Sequence, residues 1–226
     1  MRISALLPMK GNSERVPNKN IKAFGGGLLF HAVADSLLSS KYIDQLVINT
    51  DSEEISCEAK SKYGEKVKII ERPKSIQGDY VSMNEIIKHD IDVLGEEHFL
   101  QTHSTNPMLK TKTIDLAVEK YFDAIKNGFD SLFSVTKLQT RLYDVNGKPV
   151  NHNPNELRRT QDLDPLFEEN SNFFIFSKTS FYNAGYKRIG LKPKLFEVNK
   201  LEAIDIDDPE DFVLAELMYK NSACKA

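Results

Sequence analysis

Apolar and polar positions alternate along this chain in blocks that read as strands and helices in turn. Ile3 to Leu7 is an apolar run short enough for a buried strand and is closed by Pro8. Phe30, Val33, Leu37 and Leu38 recur at helical spacing and predict a helix from about Leu28 to Ser39, with Gly25-Gly26-Gly27 as a flexible entry. Leu46-Val47-Ile48 predicts a second strand. Thr50 to Glu53 resembles a capping box for a helix that ends at Gly64. Val67 to Ile70 is a third strand. Ser82 or a neighbour starts a helix carrying Ile86, Ile87, Ile91 and Leu94. His98 to Gln101 is a strand, and Ile114, Ala117, Val118, Tyr121, Phe122 and Ile125 mark a long amphipathic helix before a strand at Ser131 to Val135. Strands alternating with helices predict an α/β fold with a mostly parallel sheet and helices on both faces.

That rhythm fails between residues 137 and 167, a polar, turn-rich stretch. Asn146-Gly147 within it is a hairpin signal. A segment of this kind in a compact fold covers a site or makes an interface, so it is read as a small β insertion or arm. Phe173 to Phe176 resumes as a core strand. Leu195 to Val198 and Ala203 to Ile206 are read as late strands. A last helix from about Pro209 to Lys220 has Phe212, Val213, Leu214 and Leu217 as its expected buried stripe.

Composition narrows the classes. The 226 residues suffice for one large domain, read as 1–226 with the arm inserted. A net charge of −3 gives no global basic field, so no nucleic-acid partner is expected. No apolar stretch approaches a membrane span or a signal peptide. Cys57 and Cys224 form no C-x-x-C, which points to a reduced, cytoplasmic protein.

Positive charge is instead local. The loop after the first strand, Met9 to Asn20, carries Lys10, Arg15 and Lys19 against one acid, Glu14. Gly11 and Ser13 let its backbone bend and offer donors. A loop so placed either holds phosphate or is simply a solvated basic loop; it is neither a Walker A loop nor G-x-G-x-x-G. At the far end of the chain stand Asp205 and Asp207. On a strand, residues two apart share a face, and paired carboxylates invite a divalent cation. The same acids, with Asp208, Glu210 and Asp211, also suit a helix start. Arg72 at a strand end could reach a ligand or make a surface ion pair. Ser82 could contact a ligand or cap its helix. His103 could titrate near neutral pH, contact a ligand, or be a structural donor. Basic loop, strand-end Arg and distal acids together describe a nucleoside triphosphate site.

Several segments together resemble the acylneuraminate cytidylyltransferases, also called CMP-sialic acid synthetases. Met9 to Asn20 is similar to A-R-G-G-S-K-x-I-P-x-K-N, and Asn49-Thr50-Asp51-Ser52-Glu53-Glu54-Ile55 to S-T-D-D/S-E-E-I. Arg72-Pro73 with Asp79 resembles R-P-x-x-L-A-x-D, and Ser104-Thr105-Asn106-Pro107 resembles P-T-S-P. Gln161-Asp162-Leu163, Glu169 to Ile175 and Asp205 to Asp211 resemble R-x-Q-D-L, E-N-G-A-F-Y-I and D-I-D-T-x-x-D. The matches run in order through almost the whole chain.

The resemblance implies a three-layer α/β/α, nucleotide-diphospho-sugar transferase-like (Rossmann-like) fold. It implies transfer of CMP from CTP to the anomeric hydroxyl of a 2-keto sugar acid, with release of pyrophosphate. It places Lys10, Gly11, Ser13, Lys19, Asn20, Arg72 and Ser82 at the nucleotide. It turns His103, Thr105, Gln161 and Asn170 toward the sugar and gives Asp205 and Asp207 magnesium, or manganese in its place. Lys10, Lys19 and Asp207 are then the catalytic groups. The family is dimeric, and the 137–167 segment fits an arm reaching a partner subunit. Lys10 stands where the family has Arg, Glu14 where Lys is frequent, His103 where Gln is common, and Ser171-Asn172 replace Gly-Ala. These departures leave the nucleotide half close to the family and the acceptor half altered. Kdo cytidylyltransferases share the terminal acidic pattern, but their Q-G-D-E-P segment is absent. A non-sugar acceptor and a catalytically silent relative are the other readings.

Overall fold

A computed structural model describes residues 2–223; the expectation for Cys224 lies outside them. Among the described residues nine strands and six α-helices run in the order β1 (Ile3–Leu6), β2 (Ala23–Phe24), β3 (Gly27–Leu28), α1 (Leu29–Leu38), β4 (Ile43–Thr50), α2 (Glu53–Tyr63), β5 (Val67–Glu71), α3 (Met83–Val93), β6 (His98–Thr102), α4 (Thr111–Lys126), β7 (Ser131–Leu138), β8 (Leu166–Ser177), α5 (Lys178–Asn183), β9 (Pro193–Glu197) and α6 (Pro209–Ala223). Seven strands form one sheet in the order β5-β4-β1-β6-β8-β7-β9. Within it β8 runs against its neighbours β6 and β7, and the other pairings are parallel. The mostly parallel sheet is as expected.

The two faces follow from period-two alternation along the strands. Ile3, Ala5 and Leu7 pack on one face with Phe30, Val33 and Leu37 of α1, Ile55 of α2, and Ile114, Val118 and Tyr121 of α4. Leu6, Val47, Phe99, Phe174 and Phe176 face the other way, against Ile87 and Ile91 of α3 and Phe181 of α5. The result is three layers, α/β/α. A smaller cluster joins Val16, Phe24, Leu29, Ile206, Phe212 and Ala215. It matters for the site, because Val16 belongs to the basic loop and Ile206 to the acidic segment.

Four expectations are corrected. Gly25-Gly26 is not a loose entry but the turn of the β2–β3 hairpin, with φ of 58° and 95° that side chains resist. Ser52, not Thr50, caps α2, its hydroxyl accepting from Ile55 N. Ala203 to Ile206 joins no ladder; Ile206 N donates instead to Thr105 O at 2.9 Å. In α6 only Phe212 of the expected stripe is buried, beside Ala215, while Val213, Leu214 and Leu217 are exposed. The turn-rich stretch read as an arm lies in the β7–β8 connection. Asp144 Oδ1 accepts from Asn146 N and Lys148 N to close its turn, and Gly147 takes the positive φ the turn requires.

Candidate functional site

The chain runs β1, β4, β5 outward in one direction and then returns to β6 on the other side of β1. The C-terminal ends of β1 and β6 therefore flank a switch point, where open α/β sheets hold ligands. A cleft of about 250 Å³ opens there, lined by Lys10, Ser13, Lys19, Asn20, Arg72, Asp79, His103, Ser104 and Thr105, with Met9 and Met83 among its apolar walls.

The basic loop is fixed at several points. Val16 is buried in the satellite cluster. Gly11 N donates to Asp51 Oδ1 at 2.7 Å, and a Cβ at Gly11 would lie 2.9 Å from Ser52 Cβ, so the approach excludes a side chain. Asn20 is buried, donating from Nδ2 to Lys10 O at 2.8 Å and accepting from Ser104 Oγ at 2.6 Å. That pair ties the loop after β1 to the loop after β6.

Lys19 Nζ donates to Ile206 O at 2.6 Å, and Arg15 Nη2 meets Asp207 Oδ1 at 2.5 Å. The first and last parts of the chain thus close on each other. Burial lowers the Lys19 pKa, and the nearby Asp205 and Asp207 oppose that shift. Lys10 Nζ pairs with Asp79 Oδ1 at 2.6 Å on the opposite rim. Ile206 is fully buried between half-buried Asp205 and exposed Asp207, and the two carboxylates lie close enough to interact without a strand to align them. Burial holds the Asp205 carboxyl above its usual range, Asp207 adding to this while Thr105 and Lys19 oppose it. Asp205 Oδ1 is buried with no hydrogen-bond partner. Among the described residues no cluster of three or more His, Cys, Asp or Glu could hold a metal. Two carboxylates, one with an orphaned oxygen, fit magnesium, which takes one or two carboxylates and completes its shell with water and phosphate oxygens.

Arg72 is held on one side only. Nε donates to Asn49 Oδ1 at 2.7 Å, and Nη2 donates to Met9 O and Asn49 O at 3.0 Å. Asn49 Nδ2 in turn donates to Asp90 Oδ1 at 2.5 Å. Burial pushes the Asp90 carboxyl up to about 6, although Asn49, His89 and Arg72 each pull it down. Neither Asn49 nor Asp90 was anticipated. Asp90 had a signal: it sits on the apolar side of α3 beside Ile86, Ile87 and Ile91.

The expected acceptor residues divide. Thr105 and His103 line the cleft. His103 does not titrate near neutral pH; burial, then Arg188 and Lys19, drive it down to about 4. Ser82 is exposed and its hydroxyl caps α3, accepting from Asn84 N at 3.2 Å. Asn170 turns its Nδ2 to Thr136 Oγ1 at 3.0 Å and is not a cleft residue. Gln161 is exposed on the arm, away from the cleft of its own chain. Ser171, where the family has Gly, takes φ of 55° in the β8 bulge opposite Ser134.

Comparison with known proteins bears on the family and the fold. A cytidylyltransferase family model matches residues 4–223. The chain is 27% identical to the pseudaminic acid cytidylyltransferase of Campylobacter jejuni over 97% of both chains. It is 27% identical to the CMP-N,N'-diacetyllegionaminic acid synthase of Legionella pneumophila, again over 97% of both. It is 29% identical to N-acylneuraminate cytidylyltransferase A of Danio rerio, over 95% of this chain and 50% of that one. In fold it is similar to a CMP:2-keto-3-deoxy-manno-octonic acid synthetase complexed with CTP, with a TM-score of 0.69 at 10% identity and full coverage of both. By its sequence match and its fold, the chain belongs to the cytidylyltransferase family of enzymes.

Proposed function

We propose that this chain joins CTP to a sialic-acid-like nonulosonic acid. The anomeric hydroxyl oxygen of the acid bonds to the α-phosphorus of CTP, and the bond to the β-phosphate oxygen breaks to release pyrophosphate. The observation that carries this reading is the closure of the basic loop onto the acidic segment, Lys19 Nζ to Ile206 O at 2.6 Å, at the sheet's switch point. Lys19, Lys10 and the loop amides then lie where phosphates are neutralised. Arg72 and Asn20, rigidly held, lie where a base is read. Catalysis on this site is positioning and charge neutralisation. Asp205 and Asp207 would hold magnesium; bound there, it would lower the hydroxyl's pKa and neutralise the leaving group. Relatives acting on pseudaminic and legionaminic acids support the acceptor class. Mass spectrometry should find a CMP-linked sugar after incubation with CTP, magnesium and one such acid. CTP binding without a conjugate from any 2-keto acid would contradict the acceptor class.

Asp90 positions Arg72 through Asn49, and a pair of variants separates that role from packing. Asp90→Ala leaves the Asn49 amide without its acceptor and should weaken CTP binding about tenfold by calorimetry. Asp90→Asn keeps an acceptor and should bind CTP almost normally. It should also melt higher above pH 6. A raised carboxyl stabilises the fold below its unfolded pKa and loses that contribution as pH rises to about 6, and the amide has no charge to bury. Equal CTP affinity in both variants would sever the chain from Asp90 to Arg72.

The arm is assigned to a partner subunit. Val145 and Leu157 on it are almost fully exposed, and Gln161 is exposed and does not line the switch-point cleft. Light scattering should give a mass near twice 25.7 kDa. A monomer at working concentrations would remove the arm's role.

A further inference from the structure

Beside His103 lies a group that neither the resemblance nor the site described above uses. Arg188 follows α5, and its side chain is 19% exposed. Its guanidinium lies 3.7 Å from the centroid of the buried Phe174 ring. Nη1 donates to Gln101 Oε1 at 2.7 Å and stands 3.3 Å from His103 Nε2. The nearest carboxylate is Glu169, at a loose 3.8 Å and itself partly exposed. A guanidinium has five N–H groups, and these contacts leave several unassigned. A largely buried cation so weakly paired calls for an oxygen acceptor.

Gln101 converts that cation into a fixed orientation for His103. It is fully buried. Because Oε1 accepts from Arg188, Nε2 faces Thr102 O at 2.8 Å and His103 Nε2 at 3.2 Å. Two donors therefore meet His103 Nε2, which must be the acceptor nitrogen, and the ring proton sits on Nδ1. The low pKa of His103 agrees with a neutral ring. His103 lines the cleft, and Arg188 stands directly behind it, its Nη1 3.3 Å from His103 Nε2, so N–H donors gather at and beside this wall. Asn20 and Arg72 lie on the nucleotide side, which leaves this wall to the acceptor.

We infer that Arg188 recognises a hydrogen-bond-accepting oxygen of the acceptor, a carboxylate or an acyl amide carbonyl, and with the Nδ1–H of His103 decides which acid is used. This inference rests on the reading that the chain transfers CMP to a sugar acid. It makes Arg188 a specificity-determining residue, with Gln101 in a positioning role.

The test is steady-state kinetics on the full chain with the best nonulosonic acid, its methyl ester and its de-N-acylated form. Arg188→Met should raise the acceptor KM at least about tenfold, the worth of a charge-assisted hydrogen bond, with the KM for CTP within about twofold. Arg188→Lys, which keeps charge without the fork, should fall between. One analogue should be penalised in the unaltered enzyme and lose that penalty in Arg188→Met: the ester if Arg188 reads the carboxylate, the de-N-acylated acid if it reads the amide. Equal rises in KM for CTP and acceptor would overturn the inference, as would unchanged discrimination against both analogues. Should Arg188→Met fail to fold, the analogues on the unaltered enzyme and Arg188→Lys decide, and equal KM for acid, ester and de-N-acylated acid overturns it. Absence of product from any acid with the unaltered chain would instead strike the underlying reading, and this inference with it.

Discussion

Asp205→Asn should lower kcat by about a hundredfold or more while the protein becomes more resistant to heat at neutral pH. Both effects have one origin. Asp205 is half-buried, its Oδ1 has no partner, and burial holds its carboxyl above the usual range. A carboxyl raised by folding stabilises the native state only below its unfolded pKa. That contribution is lost as pH rises through the folded pKa, so at neutral pH the charge is a cost. An amide of the same shape removes the cost and also removes a ligand from the cation that the reaction needs. Melting curves and turnover should therefore move in opposite directions. A variant with full turnover would take Asp205 out of the cation site. A variant that melts lower at neutral pH would show that Asp205 is stabilised by contacts beyond those described.

Lys19→Met should be nearly as damaging. The side chain does two things at once. Its Nζ donates to Ile206 O, holding the loop after β1 against the acidic segment, and its charge lies beside Asp205 and Asp207 at the cleft. Loss of a preorganised donor at developing charge commonly lowers kcat by about 10²–10³-fold. Weaker CTP binding should accompany it, because the loop loses its tie. Lys19→Arg should not restore turnover, since a planar fork cannot replace a compact ammonium in this confined position. Kinetics and calorimetry on the two variants check this; near-normal turnover in Lys19→Met would mean that Lys10 or Arg15 carries the phosphate charge.

These two residues were legible in the sequence because their types are unusual where they stand: a cation cluster after a buried strand, and an acid pair beside an apolar residue. The layers were legible for a similar reason. Ile3, Ala5 and Leu7 alternate with Leu6, and each face found its helices. Local pattern misled where tertiary contacts override it. Ala203 to Ile206 looks like a strand, yet Ile206 is anchored by the satellite cluster and by Thr105 O rather than by a neighbour. In α6 the apolar residues spread around the helix; Phe212 and Ala215 are buried in the satellite cluster and Tyr219 packs against it, while Val213, Leu214 and Leu217 face outward. Ser82 caps α3, one of the two roles open to it in the sequence. Arg188 had no local signal at all. Its meaning comes from Gln101, His103 and Phe174, which are distant in sequence and adjacent only after β6 pairs with β8. Asp90 was visible as a carboxylate on an apolar helix face, but its partner Asn49 could be named only from the fold.

The most direct test of the whole account is pyrophosphate release from CTP with magnesium, measured with pseudaminic, legionaminic and N-acetylneuraminic acids, and with ATP, GTP and UTP as controls. The account predicts release that requires both CTP and one of these acids. Release from another nucleotide at the same rate, or none from CTP with any 2-keto sugar acid, would contradict it.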